Sequence, residues 1–113
     1  MVRQFVETSV FSKRWAEMGL DEDDLLELQT NLMKRPTSGS VISGTGGARK
    51  LRFALSNKGK SGGARVIYVD VLLDEQIHLL LCYAKSEQED LTAVQKKQLK
   101  VFINAIKEGR KRG

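Results

Sequence analysis

Apolar positions follow two different periods along this chain, and the places where the period changes mark out its elements. Arg3 to Glu7 reads as a short first strand. Phe11, Trp15 and Met18 then recur at helical spacing, with Ser9 placed to cap that helix and Gly19 to stop it. Asp21 opens a second helix over DEDDLLELQTNLMKR, whose apolar stripe is Leu25, Leu28, Leu32 and Met33. Its acidic first turn and basic last turn complement the helix dipole, and Pro36 ends it. The two helices are predicted to pack as an antiparallel pair that supports the rest of the fold.

Thr37 to Gly47 is rich in Thr, Ser and Gly, the composition of a loop. Beyond it the period becomes two. In KLRFAL, Leu51, Phe53 and Leu55 point one way, while Lys50, Arg52 and Ala54 point the other. Ala64 to Leu72 reads as a strand covered on both faces. Asp74 and Glu75 turn the chain, and Ile77 to Tyr83 returns as a third strand, completing an antiparallel meander. A last helix follows. Thr92 and Gln95 form its capping box, Val94, Leu99, Phe102, Ile103 and Ile106 its apolar stripe, and Gly109 its end, ahead of a basic tail from Arg110 to Gly113. The predicted class is α+β: one domain over residues 1–113, a small antiparallel sheet carrying an N-terminal helix pair and a C-terminal helix.

Composition narrows the setting. An apolar share of 41% and a charged share of 29% are ordinary for a soluble globular protein. The longest apolar run, Ile77 to Ala84, is interrupted by His78 and is too short to span a bilayer, so no membrane partner is expected. MVRQFVETSV has no basic region leading into an apolar stretch, which predicts a cytoplasmic chain. The lone Cys82 sits in an apolar strand and is expected as a buried small hydrophobe. With one histidine and one cysteine, neither a metal nor another cofactor is expected.

Charge points to a partner. Between Arg49 and Tyr68 stand six basic side chains and no acidic one, while the whole chain nets only +5. A cationic strand with a Gly/Ser/Lys loop is the pattern of a polyanion-binding face, with RNA or DNA phosphate as the partner. Gly59, Lys60 and Ser61 imitate the end of a nucleotide-binding P-loop. Ala54, however, stands where its first glycine belongs, and the segment joins two antiparallel strands. The glycines of Ser43 to Gly47 precede no helix, so they form no dinucleotide fingerprint.

In a hairpin centred on Gly59 and Lys60, Arg52 falls opposite Ile67, which brings Lys50, Arg52 and Arg65 to one face. Nothing nearby in sequence neutralises them. Such a face either stays solvated or meets an anion. Arg49, Lys58 and Lys60 add phosphate attraction. With one imidazole in the chain, phosphodiester chemistry would fall to Lys, Arg and Tyr.

Three motifs in this region resemble the RelE/HigB toxins of bacterial toxin–antitoxin modules, most closely the HigB branch. They are G-x-G-G-hydrophobic-R-K at Gly44 to Lys50, G-K-x-G-G-x-R-hydrophobic-hydrophobic-Y at Gly59 to Tyr68, and Y-x-K-x-E-x-x-D-L at Tyr83 to Leu91. The resemblance implies a metal-independent endoribonuclease that cuts mRNA in the ribosomal A site, with the ribose 2′-hydroxyl as nucleophile and a cyclic phosphate as product. It implies catalytic roles for Lys50 and Arg52, where relatives carry two lysines, for Arg65 as the phosphate-gripping arginine, and for Lys85. A guanidinium stays protonated, so Lys50 is the preferred general base, its pKa lowered by neighbouring cations. Ser86 stands where relatives have an arginine proposed as general acid, which passes that role to Lys85. Thr92 stands where a tyrosine stacks on a base, which passes stacking to Tyr83. The implied partners are a HigA-like antitoxin with a helix-turn-helix domain, the ribosome and mRNA, with operator DNA reached only through the antitoxin.

Two other functions stay open on the sequence. A ParE-like inhibitor of DNA gyrase would share the fold without needing the strand-borne cations. A decayed toxin would bind RNA without cutting it.

Overall fold

The computed structural model describes residues 3–54 and 63–112, with side chains described up to residue 109. Leu55, Lys58 and Lys60, and the expectations placed on them, lie outside the described residues. The elements are β1 (Gln4–Glu7), α1 (Ser9–Glu17), α2 (Glu22–Lys34), β2 (Ser40–Val41), β3 (Arg49–Phe53), β4 (Ala64–Val71), a 3-10 turn (Leu72–Asp74), β5 (Gln76–Ala84) and α3 (Ala93–Arg112). Their class is α+β, as the periodicity predicts. The sheet order is β1-β5-β4-β3-β2. β2 to β5 pair antiparallel, but β1 runs parallel to β5, with Phe5 opposite Ile77. A parallel pair needs a long connection, and here the helices and the first three strands of the meander supply it. β2 is a two-residue strand inside the expected loop, formed by pairing Ser40 with Lys50 and Val41 with Arg49.

The helix ends show how local chemistry sets these elements. Thr8, not Ser9, caps α1: its Oγ1 accepts from Phe11 N at 3.0 Å and donates to the Leu80 carbonyl at 2.8 Å, tying the helix start to β5. Asp21 and Asp24 form a reciprocal capping box on α2. Thr92 and Gln95 do the same for α3, at 2.9 and 3.1 Å. α3 continues past Gly109 to Arg112 rather than stopping there.

Each face of the sheet has its own core. On one, Phe11 and Trp15 of α1 and Leu28 and Leu32 of α2 pack on Phe53, Val66, Tyr68, Ile77 and Leu79. Trp15 stacks on Phe11 and tilts against Phe53, and its Nε1 donates to the Asp21 carbonyl. Cys82 is buried there too, and burial pushes its thiol up to about 12. On the other face α3 lays Ile103, with Leu99 and Ile106, over Ala48, Ile67, Val69 and Leu80. That stripe is narrower than predicted: Val94 and Phe102 lie off it and are 65% and 44% exposed, and Met33 of α2 likewise turns outward.

A bulge lets β5 serve both cores. Ile67 pairs with Leu81 but Tyr68 with Leu79, so Leu80 is an extra residue. Leu80 and Leu81 both face α3, Cys82 and Leu79 both face the helix pair, and the alternation changes phase between them. Among the described residues no helix is long and apolar enough to cross a membrane.

Candidate functional site

The basic residues of the hairpin converge through strand register. Arg52 pairs directly with Arg65, and Lys50 with Ile67. The hairpin centre thus lies one residue earlier than symmetry about Gly59 and Lys60 predicts. The partner of Arg52 moves two places along β4, which preserves the face each side chain occupies. Arg65 in turn pairs with Tyr83. Direct cross-strand partners share a face, so Arg52, Arg65 and Tyr83 form one row across three strands. Ser40, Lys50, Ile67 and Leu81 form the next row, on the face that α3 covers farther along the sheet.

Beyond the reach of α3 this face opens into a groove of about 410 Å³. Lys50, Arg52 and Arg65 line it from the sheet, Ser38 and Ser40 from the β2 side, and Glu89 and Asp90 from the turn before α3. Arg52 is exposed, whereas Arg65 is only 7% exposed. The Lys50 ammonium donates to Asp90 Oδ1 at 2.9 Å. That hydrogen bond and charge hold the Asp90 carboxyl below the usual carboxylate range.

Asp90 is where it is because the turn from β5 to α3 is anchored at several points. Glu87 accepts from Ala84 N at 3.1 Å and pairs with Arg14 of α1, which holds its carboxyl low. Gln88 Nε2 donates to the Asp90 carbonyl and to Gln95 Oε1, both at 3.0 Å. Leu91 is buried in the α3 core. The spacing Y-x-K-x-E-x-x-D-L therefore has a physical account, in which Glu87 fixes the turn, Leu91 pins its end and Asp90 is delivered to Lys50.

Several expected roles change. Lys50 touches a carboxylate instead of a crowd of cations, so the arrangement that would make it a base is replaced by an ion pair. Arg49 points to the opposite face from Lys50, and its Nη1 donates to the Gly39 carbonyl at 2.7 Å and the Thr37 carbonyl at 3.3 Å. It clamps the loop instead of reaching toward RNA. Tyr68, its cross-strand partner, helps: its hydroxyl donates to the Pro36 carbonyl at 2.8 Å and accepts from Gly39 N at 2.9 Å. Tyr83 is 2% exposed and presents no ring face for a base to stack on. Lys85 is exposed in the turn after β5, where its backbone N donates to the Gly63 carbonyl, and it does not line the groove.

Ser38, Ser40, Glu89 and Asp90 are groove residues the sequence reading missed. Only Asp90 carried a signal, as the aspartate of the third motif. Elsewhere, burial lowers the pKa of His78, whose Nε2 lies 3.1 Å from Gln76 Oε1. Among the described residues no three His, Cys, Asp or Glu side chains cluster as metal ligands would.

No protein-family model matches this chain. Two solved structures share its architecture. A mutant of E. coli toxin RelE in the free state superposes with a TM-score of 0.57 at 14% identity, covering 79% of this chain and 90% of that one. A chain of the archaeal RelE–RelB complex from Pyrococcus horikoshii OT3 gives 0.51 at 24% identity, covering 78% of this chain and all of that one. The five-stranded sheet with its helix pair on one face and terminal helix on the other is thus a RelE-like α+β fold.

Proposed function

We propose that this chain is the toxin of a toxin–antitoxin pair, an mRNA endoribonuclease that works on the ribosome without a metal. The observation that carries the reading is the Arg52–Arg65 cross-strand pair, set beside Lys50 in an open groove of a RelE-like fold. Two guanidinium groups there can grip the non-bridging oxygens of a phosphodiester and stabilise the extra negative charge of a phosphorane. In the reaction the ribose 2′ oxygen bonds to phosphorus as its proton passes to the Asp90 carboxylate, the exposed partner of Lys50. Lys50 stays an ammonium and adds positive charge. The bond from phosphorus to the 5′ oxygen then breaks, Lys85, exposed in the turn after β5, gives that oxygen a proton, and a 2′,3′-cyclic phosphate remains.

The three motifs favour the HigB branch, and hence a HigA-like antitoxin with a helix-turn-helix domain that brings operator DNA to the complex. The RelE–RelB complex supports an antitoxin partner in general. Translation extracts supplied with the protein should yield mRNA cut inside A-site codons, with cyclic phosphate and 5′-hydroxyl ends. Intact mRNA at levels that arrest growth overturns the reading, and cleaved DNA–gyrase complexes in its place would assign the protein to the ParE-like class.

A further inference from the structure

Tyr83 carries a hydroxyl that is fully buried and has no hydrogen-bond partner among the described residues. An orphaned buried hydroxyl destabilises a fold, and phenylalanine would fill the same space without it. Position makes the orphan informative. Tyr83 is the cross-strand partner of Arg65, which is the partner of Arg52, so the phenol stands third in the row that would hold a phosphate. Burial raises its pKa, and the charges that act on it are, in decreasing order, those of Lys50, Asp90 and Arg65. Lys50 is thus the cation that bears most strongly on the phenol, yet its ammonium is committed outward, to a carboxylate that is itself 75% exposed. An ammonium has three donors, so this bond leaves others to give.

We propose that Tyr83 is a positioning residue for Lys50. A phosphate seated on Arg52 and Arg65 draws the ammonium inward from Asp90, and the Tyr83 hydroxyl accepts one of its hydrogen bonds. The phenol thereby fixes the ammonium over the reacting phosphate, and the Asp90 carboxylate is left open to take a proton. The inference rests on the phosphate-binding reading of the groove and adds to it a residue that never touches RNA.

The chain has only two tyrosines, which makes the test direct. Protein labelled with 13C at tyrosine Cζ and with 15N throughout is titrated with inorganic phosphate and then with a short RNA carrying 2′-O-methyl groups. The Tyr83 Cζ resonance should move as its hydroxyl gains a partner, and Tyr68, already bonded on both sides, should stay in place. The Tyr83 movement should vanish in Lys50→Ala. Tyr83→Phe should have a thermal midpoint equal to or above that of the parent, bind programmed ribosomes with unchanged affinity, and cleave about tenfold more slowly. Amide shifts in β3 and β4 with an unmoved Tyr83 would overturn the inference and leave the groove's role standing, as would parental cleavage by Tyr83→Phe. Failure of either ligand to shift β3 and β4 would remove both.

Discussion

Arg52 on β3 and Arg65 on β4 are direct cross-strand partners, so two positive side chains stand opposite each other on one face of the sheet. Like charges so placed destabilise a sheet. Arg52→Gln should therefore stabilise the free protein, on the order of 0.5 kcal/mol, while slowing mRNA cleavage by about a hundredfold, as removal of one transition-state donor does. Urea denaturation and primer extension on translated mRNA measure the two effects, and their opposite signs separate a site residue from a scaffold residue.

Tyr68→Phe should act in the other direction. It strips a buried hydroxyl that serves both Pro36 and Gly39, so the expected loss of stability is ~1–3 kcal/mol. The loop it holds carries Ser38 and leads to Ser40, so faster amide exchange should appear there first.

The ion pair of Lys50 and Asp90 has a defined pH signature. The Asp90 carboxyl is depressed in the fold, so the stability it contributes is present above the ordinary carboxylate range and is lost as pH falls through the depressed value, below roughly pH 4. Asp90 is exposed and Lys50 half-buried, and the effect is correspondingly modest. Carboxylate NMR titration should find Asp90 low in the parent and back in the ordinary range in Lys50→Ala. At neutral pH Asp90→Asn should fold normally and cleave poorly.

Gly63 tests the backbone at the end of the same hairpin. It has a φ of +65°, and a Cβ there would stand 2.6 Å from the Phe53 carbonyl oxygen, a backbone atom that cannot swing aside. Gly63→Ala should cost about 1–3 kcal/mol, read as a lower denaturation midpoint. Cleavage should fall with it, because Arg65 is two residues away.

The meander, the helix start at Asp21, the capping box of Thr92 and Gln95, and the Lys50–Arg52–Arg65 face were legible in the sequence because each depends on local spacing. What escaped depends on contacts between distant residues. Asp90 meets Lys50 across forty positions of chain, and its delivery depends on Glu87 and Arg14, whose pairing no periodicity shows. β1 gave no sign that it would run parallel, since its burial pattern would suit either direction. β2 is a strand only because Lys50 and Arg49 offer it an edge. Arg49 was a different matter: strict alternation already sets it opposite Lys50, and its position in a basic run hid that. Phe102 was misplaced because its neighbour Ile103 belongs to the buried stripe, and one step along a helix turns a side chain by about 100°.

The extra residue at Leu80 has an evolutionary implication. It isolates the half of β5 that holds Tyr83 and Leu81 from the half that holds Ile77 and Leu79, like a phase slip between two gratings. A one-residue insertion or deletion upstream, near the tip where the chain reverses after β4, could be absorbed at that slip. The groove end of the molecule would keep its alignment while the far end drifted.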